Sequence, residues 1–456
     1  NFDRYVTDAT GTVNLLRRNL YTSMLKKSAI YFFDLLARGW FGRNDTTRDL
    51  AITDAIWNST SHALSQWRNF LNTSLSTTGT SVQPEVVIFV DQLSSASRPL
   101  LGVRKSFETA LLRSPWQDIA GIGAPVRVHL LTDLLHPEFN TKGIKMAVML
   151  NAALLSAKLR EAIRTKLQEA NDGVNRTVVW VYAPALFDAD SCTGAGSCLP
   201  NVSAASEVVG MELNMSLAPY QDLRVSWQLD NKTWNDGGWN DGGFGPISPW
   251  LSCDGDTILG RYTGDEAAVC APPPAKGRVA CGSKPGRGHG HPPYSPTNGC
   301  TAALGCCHSP IKEVGPWCIP MNASNNGTLC GMCESPRPRG STPKVAGQPA
   351  VCSGKHRGQG SSTAVFIGAP RPPVSIWRAL AKTAGVHLYT ADADSVDNGA
   401  SVHADAVETG GRGLLFHAGS GAPRARLVSL PRKLTVVSEW GDVVCASTSP
   451  CQSFST

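Results

Sequence analysis

The sequence predicts an α/β chain in three parts: the last unit of a (β/α) barrel, a parallel-sheet domain with a disulfide-rich insertion, and a small antiparallel β tail. Three observations predict it. Short continuous apolar runs, the mark of strands buried on both faces, alternate with stretches of helical periodicity over residues 81–390. Ten of the fourteen cysteines lie from Cys253 to Cys352, and residues 268–360 are rich in Gly, Pro and Ser. From Asp392 onward the pattern changes to short alternating segments. The expected boundaries are 1–80 for the barrel remnant, 81–390 for the sheet domain with its insertion at 268–360, and 391–456 for the tail.

The barrel unit reads from its periodicity. Val13, Leu15, Leu16, Leu20 and Leu25 place an apolar stripe on a helix over Thr12–Ser28. The strand Ala29–Leu35 follows, and then a long amphipathic helix, Thr47–Leu75, with Leu50, Ile52, Ile56, Trp57, Leu64, Trp67 and Leu71. A helix–strand–helix unit suits the closing part of a barrel and is too short to be a barrel alone. The strand runs Tyr31-Phe32-Phe33 into Asp34; Gly39 then lets the chain turn before Trp40-Phe41-Gly42. At the C-terminal end of a barrel strand, a carboxylate and an indole can grip a sugar by hydrogen bonds to hydroxyls and stacking on C–H faces. The competing reading is a core strand with a solvated Asp34 and a packing Trp40. Thr77–Pro84, rich in Thr, Ser and Gly, reads as a linker.

In the second part, Val86–Val90 is a β-branched run that ends at Asp91. A helix is expected over Lys105–Leu112, strands over Val126–Leu131 and Lys145–Leu150, a helix over Ser156–Ala170 and a strand over Val178–Tyr182. Ala364–Ile367, the helix Val374–Ala384 and Val386–Tyr389 read as the last β-α-β unit of a mostly parallel sheet. The doubled pentapeptide Trp234-Asn235-Asp236-Gly237-Gly238 and Trp239-Asn240-Asp241-Gly242-Gly243 is expected to be a turn; a sugar platform is the alternative. In the tail, Leu414–His417, Arg426–Leu430, Leu434–Val437 and Val443–Ala446 suit a small antiparallel sandwich.

Composition narrows the chemistry. The net charge of +6 is local: ten Lys/Arg face only Glu313 and Glu334 between Ala271 and Gly360, which leaves the remainder near −2. A basic Pro/Gly-rich stretch without interleaved aromatics is a solvated insertion and no nucleic-acid footprint. The longest apolar stretch, Met146–Leu155, is too short to span a bilayer, so no membrane partner is expected. The chain opens on Asn1 with no basic-then-apolar leader, which reads as a processed chain or a fragment. Asn-X-Ser/Thr acceptors stand at Asn44, Asn58, Asn72, Asn175, Asn201, Asn214, Asn231, Asn322 and Asn326. With an even cysteine count they point to the secretory route, lumenal or secreted, and to disulfides.

No cofactor or metal is expected. Cys306-Cys307-His308 and Cys330-Gly331-Met332-Cys333 have one zinc-like spacing, but the partner pair is adjacent, and disulfides are the better account. His289 and His291 sit in Gly-rich sequence that does not preorganise a metal, and Asp392, Asp394 and Asp397 lack the spacing and glycine of a calcium loop. A nucleophile elbow needs Cys or Ser at its apex, and Tyr182-Ala183-Pro184-Ala185 offers neither; His129 and His136 read as structural or surface groups.

Taken in order, the pieces resemble the rear half of a family-42-type β-galactosidase-like glycoside hydrolase. The marks are Phe33-Asp34 with Gly39-Trp40-Phe41, Val86–Asp91 closing on Gln92-Leu93-Ser94, and Gly123-Ala124-Pro125 leading to His129-Leu130-Leu131-Thr132-Asp133-Leu134-Leu135. Val179-Trp180-Val181-Tyr182-Ala183-Pro184, Leu259-Gly260-Arg261-Tyr262 and Leu380-Ala381 with Ala384-Gly385-Val386-His387-Leu388-Tyr389 complete the series. The resemblance implies a TIM barrel, a flavodoxin-type, glutamine-amidotransferase-like domain that trimerises, and a small β domain. It also implies a carbohydrate substrate.

Retaining glycosidases need two carboxylates about 5 Å apart. In the family both are glutamates upstream of the last barrel strand, whereas no Glu precedes Glu85 here, so the catalytic residues are not assigned to this chain. Asp3-Arg4 resembles the segment just after the family's nucleophile strand. The resemblance therefore carries over auxiliary sugar contacts alone: Asp34, Trp40, Phe33 and Arg4. The expected function is the C-terminal portion of a glycoside hydrolase for β-galactoside-like sugars, inactive by itself, that supplies sugar contacts and oligomerisation. The alternative is a non-catalytic secreted glycoprotein module that binds carbohydrate or protein.

Overall fold

Four apolar runs make the centre of the fold. Val86–Val90 (β1), Met146–Met149 (β3), Thr177–Val181 (β5) and Thr363–Ile367 (β13) lie parallel, with Val86 opposite Met146 and Thr177 flanked by Met146 and Thr363. The structure, a computed structural model, describes residues 50–74, 84–96, 109–170, 172–192, 200–216, 224–229, 232–235, 249–263, 347–356, 362–369 and 372–389. Positions 13, 16, 19, 20 and 23 and six strands of the tail complete the described set. Every residue of β3 and β5 is buried, which explains why these strands read as continuous apolar runs and not as alternations. Each fully buried Val, Leu, Ile, Phe or Met side chain contributes about 1.5–3 kcal/mol to such a core.

Among the described residues the sheet has nine strands in the order β2-β1-β3-β5-β13-β12-β11-β8-β9, with Val126–Leu130 (β2) at one edge. Beyond β13, Pro349–Lys355 (β12), Thr257–Thr263 (β11), Arg224–Leu229 (β8) and Lys232–Asn235 (β9) all pair antiparallel. The sheet is therefore mixed: the half from β1 to β13 is parallel, as expected, and the half beyond β13 is antiparallel. The antiparallel half escapes a periodicity reading because β12 carries Cys352, Ser353 and Gly354 in place of an apolar run. Its partner β11 stands 85 residues upstream, counting from Thr263 to Gln348, and is joined to it only by long-range pairing.

β11 and β12 form a β-hairpin whose connecting residues, 264–346, lie outside the described residues, and Pro349–Lys355 is a strand of the sheet although it falls within the insertion expected at 268–360. The hairpin is closed at its open end by Tyr262 N–H to Gln348 O at 2.9 Å, Gly347 N–H to Tyr262 O at 2.8 Å, and Arg261 Nη1 to Gly347 O at 2.7 Å. At its base Cys253 and Cys352 form a disulfide across 99 residues of sequence. Cys253 belongs to Trp250–Asp254 (β10), which pairs antiparallel with Glu212–Ser216 (β7). Leu154–Leu155 (β4) and Phe187–Asp188 (β6) form a short parallel pair.

Helices begin and end where the caps allow. Ser156 accepts from Leu159 N–H to start Ala157–Ile163, which continues into a π-turn over Arg164–Gln168. Asn201 does the same for Val202–Val209 through Ala204 N–H, and Gly210, at φ 82°, closes that helix in the left-handed conformation. Pro373 precedes Val374–Thr383, whose buried face carries Ile376, Trp377, Leu380 and Ala381. Leu50–Ser74 forms the long predicted helix; among its described side chains Ile56, Ser59 and Ala63 are buried, whereas Trp57 and Leu64, expected on the apolar stripe, are exposed.

Three further expectations change. Val386–Tyr389 is irregular, since Tyr389 N–H bonds to Gly123 O outside any ladder. A π-turn over Thr109–Arg113 and a helix over Ser114–Ala120 replace the end of the helix expected at Lys105–Leu112. Trp234 and Asn235 of the doubled pentapeptide lie in edge strand β9, opposite Trp227 and Ser226, and not in a turn. In the tail, Val402–Thr409 (β14) pairs with Gly411–Ala418 (β15), Ala425–Val428 (β16) with Cys451–Ser455 (β19), and Thr435–Val437 (β17) with Val443–Ala446 (β18), all antiparallel. Contacts divide the chain into two compact units: Asn1–Pro84 with Ala120–Val126 and His387–Thr456, and Glu85–Ile119 with Arg127–Val386. The Ala29–Leu35 strand lies outside the described residues.

Candidate functional site at the carboxyl ends of the parallel strands

Open α/β sheets bind ligands in the crevice outside the carboxyl ends of their strands. At the end of β1, Asp91 is buried, and its carboxylate accepts from Ser94 N–H at 2.8 Å and Leu93 N–H at 3.3 Å, capping the turn of helix Gln92–Ala96. Asn151, past β3, answers it. Its Oδ1 accepts from Asp91 N–H at 2.8 Å, and its Nδ2 donates to Asp91 O at 2.8 Å and Ser95 Oγ at 2.7 Å. Ser94 Oγ accepts from Leu154 N–H at 2.7 Å and Ala153 N–H at 3.1 Å. These polar groups are spent on joining β1 to β3.

β5 ends in an elbow. Tyr182 has φ 69° and Ala185 φ 47°, a left-handed conformation rare for residues with a side chain. Tyr182 N–H bonds to Ile367 O at 2.7 Å, and its buried phenol donates to Pro249 O at 2.7 Å. At the end of β13 stands Gly368, where an added Cβ would lie 2.1 Å from Tyr262 Oη and 2.9 Å from Leu251 O. Tyr262 donates its own phenol to Leu251 O at 2.6 Å, and burial, reinforced by Tyr182, drives its pKa far above the ordinary phenol range. Two buried phenols thus hold the chain's own Pro249–Leu251 segment over the ends of β5 and β13, where a crevice would stand.

Two titratable groups lie at the opposite edge. Arg176 is buried and donates Nε to Ile144 O at 2.9 Å and Nη2 to Thr141 O at 3.0 Å and Asp172 Oδ2 at 2.7 Å. Its Nη1 reaches Leu167 O at 3.3 Å, at the end of the π-turn. His356 follows β12, is buried, and neither ring nitrogen has a hydrogen-bond partner. Burial lowers its pKa; Glu169 opposes that shift and Arg164 adds to it. On the surface, His129 Nδ1 pairs with Asp133 Oδ2 at 3.1 Å and its ring meets Phe139 edge-on, while His136 Nδ1 accepts from Glu138 N–H at 3.4 Å. No group of three His, Cys, Asp or Glu able to hold a metal occurs among the described residues.

No protein-family model matches the chain, and no curated protein is similar to it. Solved structures are. A catalytic-mutant form of a GH42 β-galactosidase from G. stearothermophilus superimposes with a TM-score of 0.52 at 12% identity, over 94% of this chain and 48% of that one. The fold is GH42-like. A β-galactosidase from Bacillus circulans sp. alkalophilus aligns with 88% of this chain and 44% of its own, at 9% identity and a TM-score of 0.47. The chain therefore spans about half the length of the GH42-like structures it matches.

The sugar-contact residues implied by resemblance, Arg4, Phe33, Asp34 and Trp40, lie outside the described residues, as do Asn44, Asn231, Asn322 and Asn326. Asn72 is in the Leu50–Ser74 helix, its side chain outside the description; Asn58, Asn175, Asn201 and Asn214 are exposed. Sequence reasoning missed Arg176, Asn151 and His356 as organising groups. The available signal for Arg176 was a basic residue directly before a strand with no charge in it; for Asn151, an amide ending an apolar run.

Proposed function

We propose that this chain is the C-terminal portion of a GH42-like glycoside hydrolase acting on β-galactoside-like sugars. The observation that carries the reading is the superposition over 94% of the chain at a TM-score of 0.52. The two catalytic glutamates belong to barrel strands outside this chain, and Asp34, Trp40, Phe33 and Arg4 supply auxiliary contacts to the sugar. The sheet domain, amidotransferase-like in architecture, serves assembly of a homo-oligomer. Its closed carboxyl edge supports a scaffold in place of a second active centre: Asp91 and Asn151 are committed to each other, and Tyr182 and Tyr262 hold the covering segment. The protein works in a secreted or lumenal setting, a reading supported by the Cys253–Cys352 disulfide.

The test is hydrolysis of a nitrophenyl β-galactoside by the whole natural protein and by this chain alone. Turnover by the whole protein alone is expected. Trp40→Ala then raises KM about tenfold, the loss of one stacking contact worth about 1–1.5 kcal/mol. Turnover by the isolated chain, or an inactive whole protein, overturns the proposal. The same committed carboxyl edge favours the second reading, a binding module without turnover; binding of galactosides by the whole protein with no hydrolysis would select it.

A further inference from the structure

We infer that Asn58, Asn175, Asn201 and Asn214 carry N-linked glycans, attached to the nascent chain before the surrounding structure forms. The inference rests on the secretory setting proposed above and adds which sites are used and when. All four side chains are exposed, although each belongs to or directly borders a regular element, and three have a buried neighbour: Ser59 beside Asn58, Arg176 beside Asn175, and Leu213 beside Asn214. The chemistry needs Nδ2 alone. The carboxamide nitrogen attacks the anomeric carbon of a polyprenyl-diphosphate-linked oligosaccharide. The new N–C bond forms as the C–O bond to phosphate breaks, the polyprenyl diphosphate leaves, and Nδ2 gives up one proton. Asn201 caps its helix through Oδ1, which accepts from Ala204 N–H at 3.1 Å. A glycan on Nδ2 leaves that cap intact.

The timing follows from what the folded chain does with each acceptor triplet. A transferase must hold Asn-X-Ser/Thr free of other pairing to bring Nδ2 and the hydroxyl together. Thr177 is buried, with its N–H on Lys145 O at 2.8 Å, and its neighbour Arg176 accepts Thr363 N–H at 2.8 Å through its carbonyl. The Asn175 triplet is therefore locked between β3 and β13. Asn214-Met215-Ser216 lies wholly within the β7–β10 ladder, opposite Ser252, Leu251 and Trp250. Asn58-Ser59-Thr60 lies inside the Leu50–Ser74 helix, and Asn201-Val202-Ser203 opens the next helix with Asn201 N–H on Leu186 O at 2.7 Å. In the folded protein none of the four can be presented without local unfolding.

The experiment makes the chain two ways. Passed through the endoplasmic reticulum of a eukaryotic cell behind a host leader, it is deglycosylated by an amidase in H2(18)O, and peptide masses report which Asn became labelled Asp. Expected are labels at Asn58, Asn175, Asn201 and Asn214, with Ser203→Ala removing the label at Asn201 alone. Made without glycans, folded, and then incubated with microsomal transferase and lipid-linked oligosaccharide, the chain is expected to stay unlabelled at all four until denatured. Absence of label at any of the four in the first preparation, or efficient labelling of the folded chain in the second, overturns the inference. The secretory reading is checked separately on protein from its natural source: unglycosylated natural protein beside full labelling in the first preparation refutes that setting, and with it the claim that the natural protein carries these glycans, and shows only that the four triplets are competent acceptors.

Discussion

Replacing Arg176 by methionine removes a buried guanidinium that holds together three segments of the sheet domain. Its five donors reach the carbonyls of Thr141, Ile144, Lys166 and Leu167 and the carboxylate of Asp172. Two carbonyl contacts, at 2.9 and 3.0 Å, and the 2.7 Å carboxylate contact are short enough to carry most of the energy. Charged hydrogen bonds contribute about 1.5–3 kcal/mol each, and part of the loss is recovered because Asp172 and Thr141 reach water, so about 3–5 kcal/mol is expected for the variant. At roughly 2–4 °C per kcal/mol for a unit of this size, Tm falls by about 6–20 °C. Thermal unfolding followed by tryptophan fluorescence reads it directly, since Trp180 is buried in the adjoining strand β5. Arg176→Lys keeps a charge for Asp172 but cannot fork to the four carbonyls, so it falls between the two. A methionine variant within about 2 °C of the native Tm, against the scaling above, refutes the clasp.

Three other outcomes follow from the same coordinates. Burial lowers the His356 pKa in the folded chain below the ordinary value of about 6.5 that the group has when unfolded, so a penalty absent above that pH grows as pH falls below it. His356→Leu should therefore lose less Tm than the native chain between pH 7 and 5; parallel curves would sink the argument. Replacing Cys253 and Cys352 together by serine opens a 99-residue loop in the denatured chain and should cost about 4–5 kcal/mol by chain entropy. Chemical denaturation of the double variant measures it, and a change under about 1 kcal/mol contradicts the entropic account. Exchanging residues 264–346 for a short Gly-containing turn should keep the sheet, because Tyr262, Gln348 and Gly347 already close the hairpin below it. Loss of the native circular dichroism, or of cooperative melting, would mean that the insertion is needed for the fold.

The parallel core was legible because burial on both faces writes itself as an uninterrupted apolar run; Val86–Val90 and Thr177–Val181 fall within a residue of where the sequence puts them. The antiparallel half was not. Its strands β11 and β12 contain Gly260, Arg261, Ser353 and Gly354, and at Gly260 a Cβ would sit tightly against the Val225 and Val351 side chains, at 3.0 and 3.1 Å. Close approach between strands favours glycine at position 260, and a window of sequence carries no record of the neighbour. The exposed Trp57 and Leu64 fail for a related reason. An amphipathic stripe indicates which residues could be buried, while which turn of the helix meets a partner depends on segments far away in sequence. The candidate site shows the same limit: Asp91 and Asn151 stand 60 residues apart, and only the parallel pairing of β1 and β3 brings them to hydrogen-bond distance.

The elbow after β5 shows why an active-site geometry alone does not make an active site. A side chain held at positive φ costs of order 1–3 kcal/mol and persists only where its surroundings enforce it. At Tyr182 the enforcing contacts are the backbone N–H to Ile367 O at 2.7 Å and the phenol to Pro249 O at 2.7 Å. A nucleophile at such an apex must face an open cleft and a base. Tyr182 faces a backbone carbonyl inside the protein, its neighbours Ala183, Pro184 and Ala185 carry no polar side chain, and Gly368 admits Tyr262 where a substrate would have to enter. The strain is therefore spent on docking β10 across the sheet end, an internal structural gain that needs no ligand.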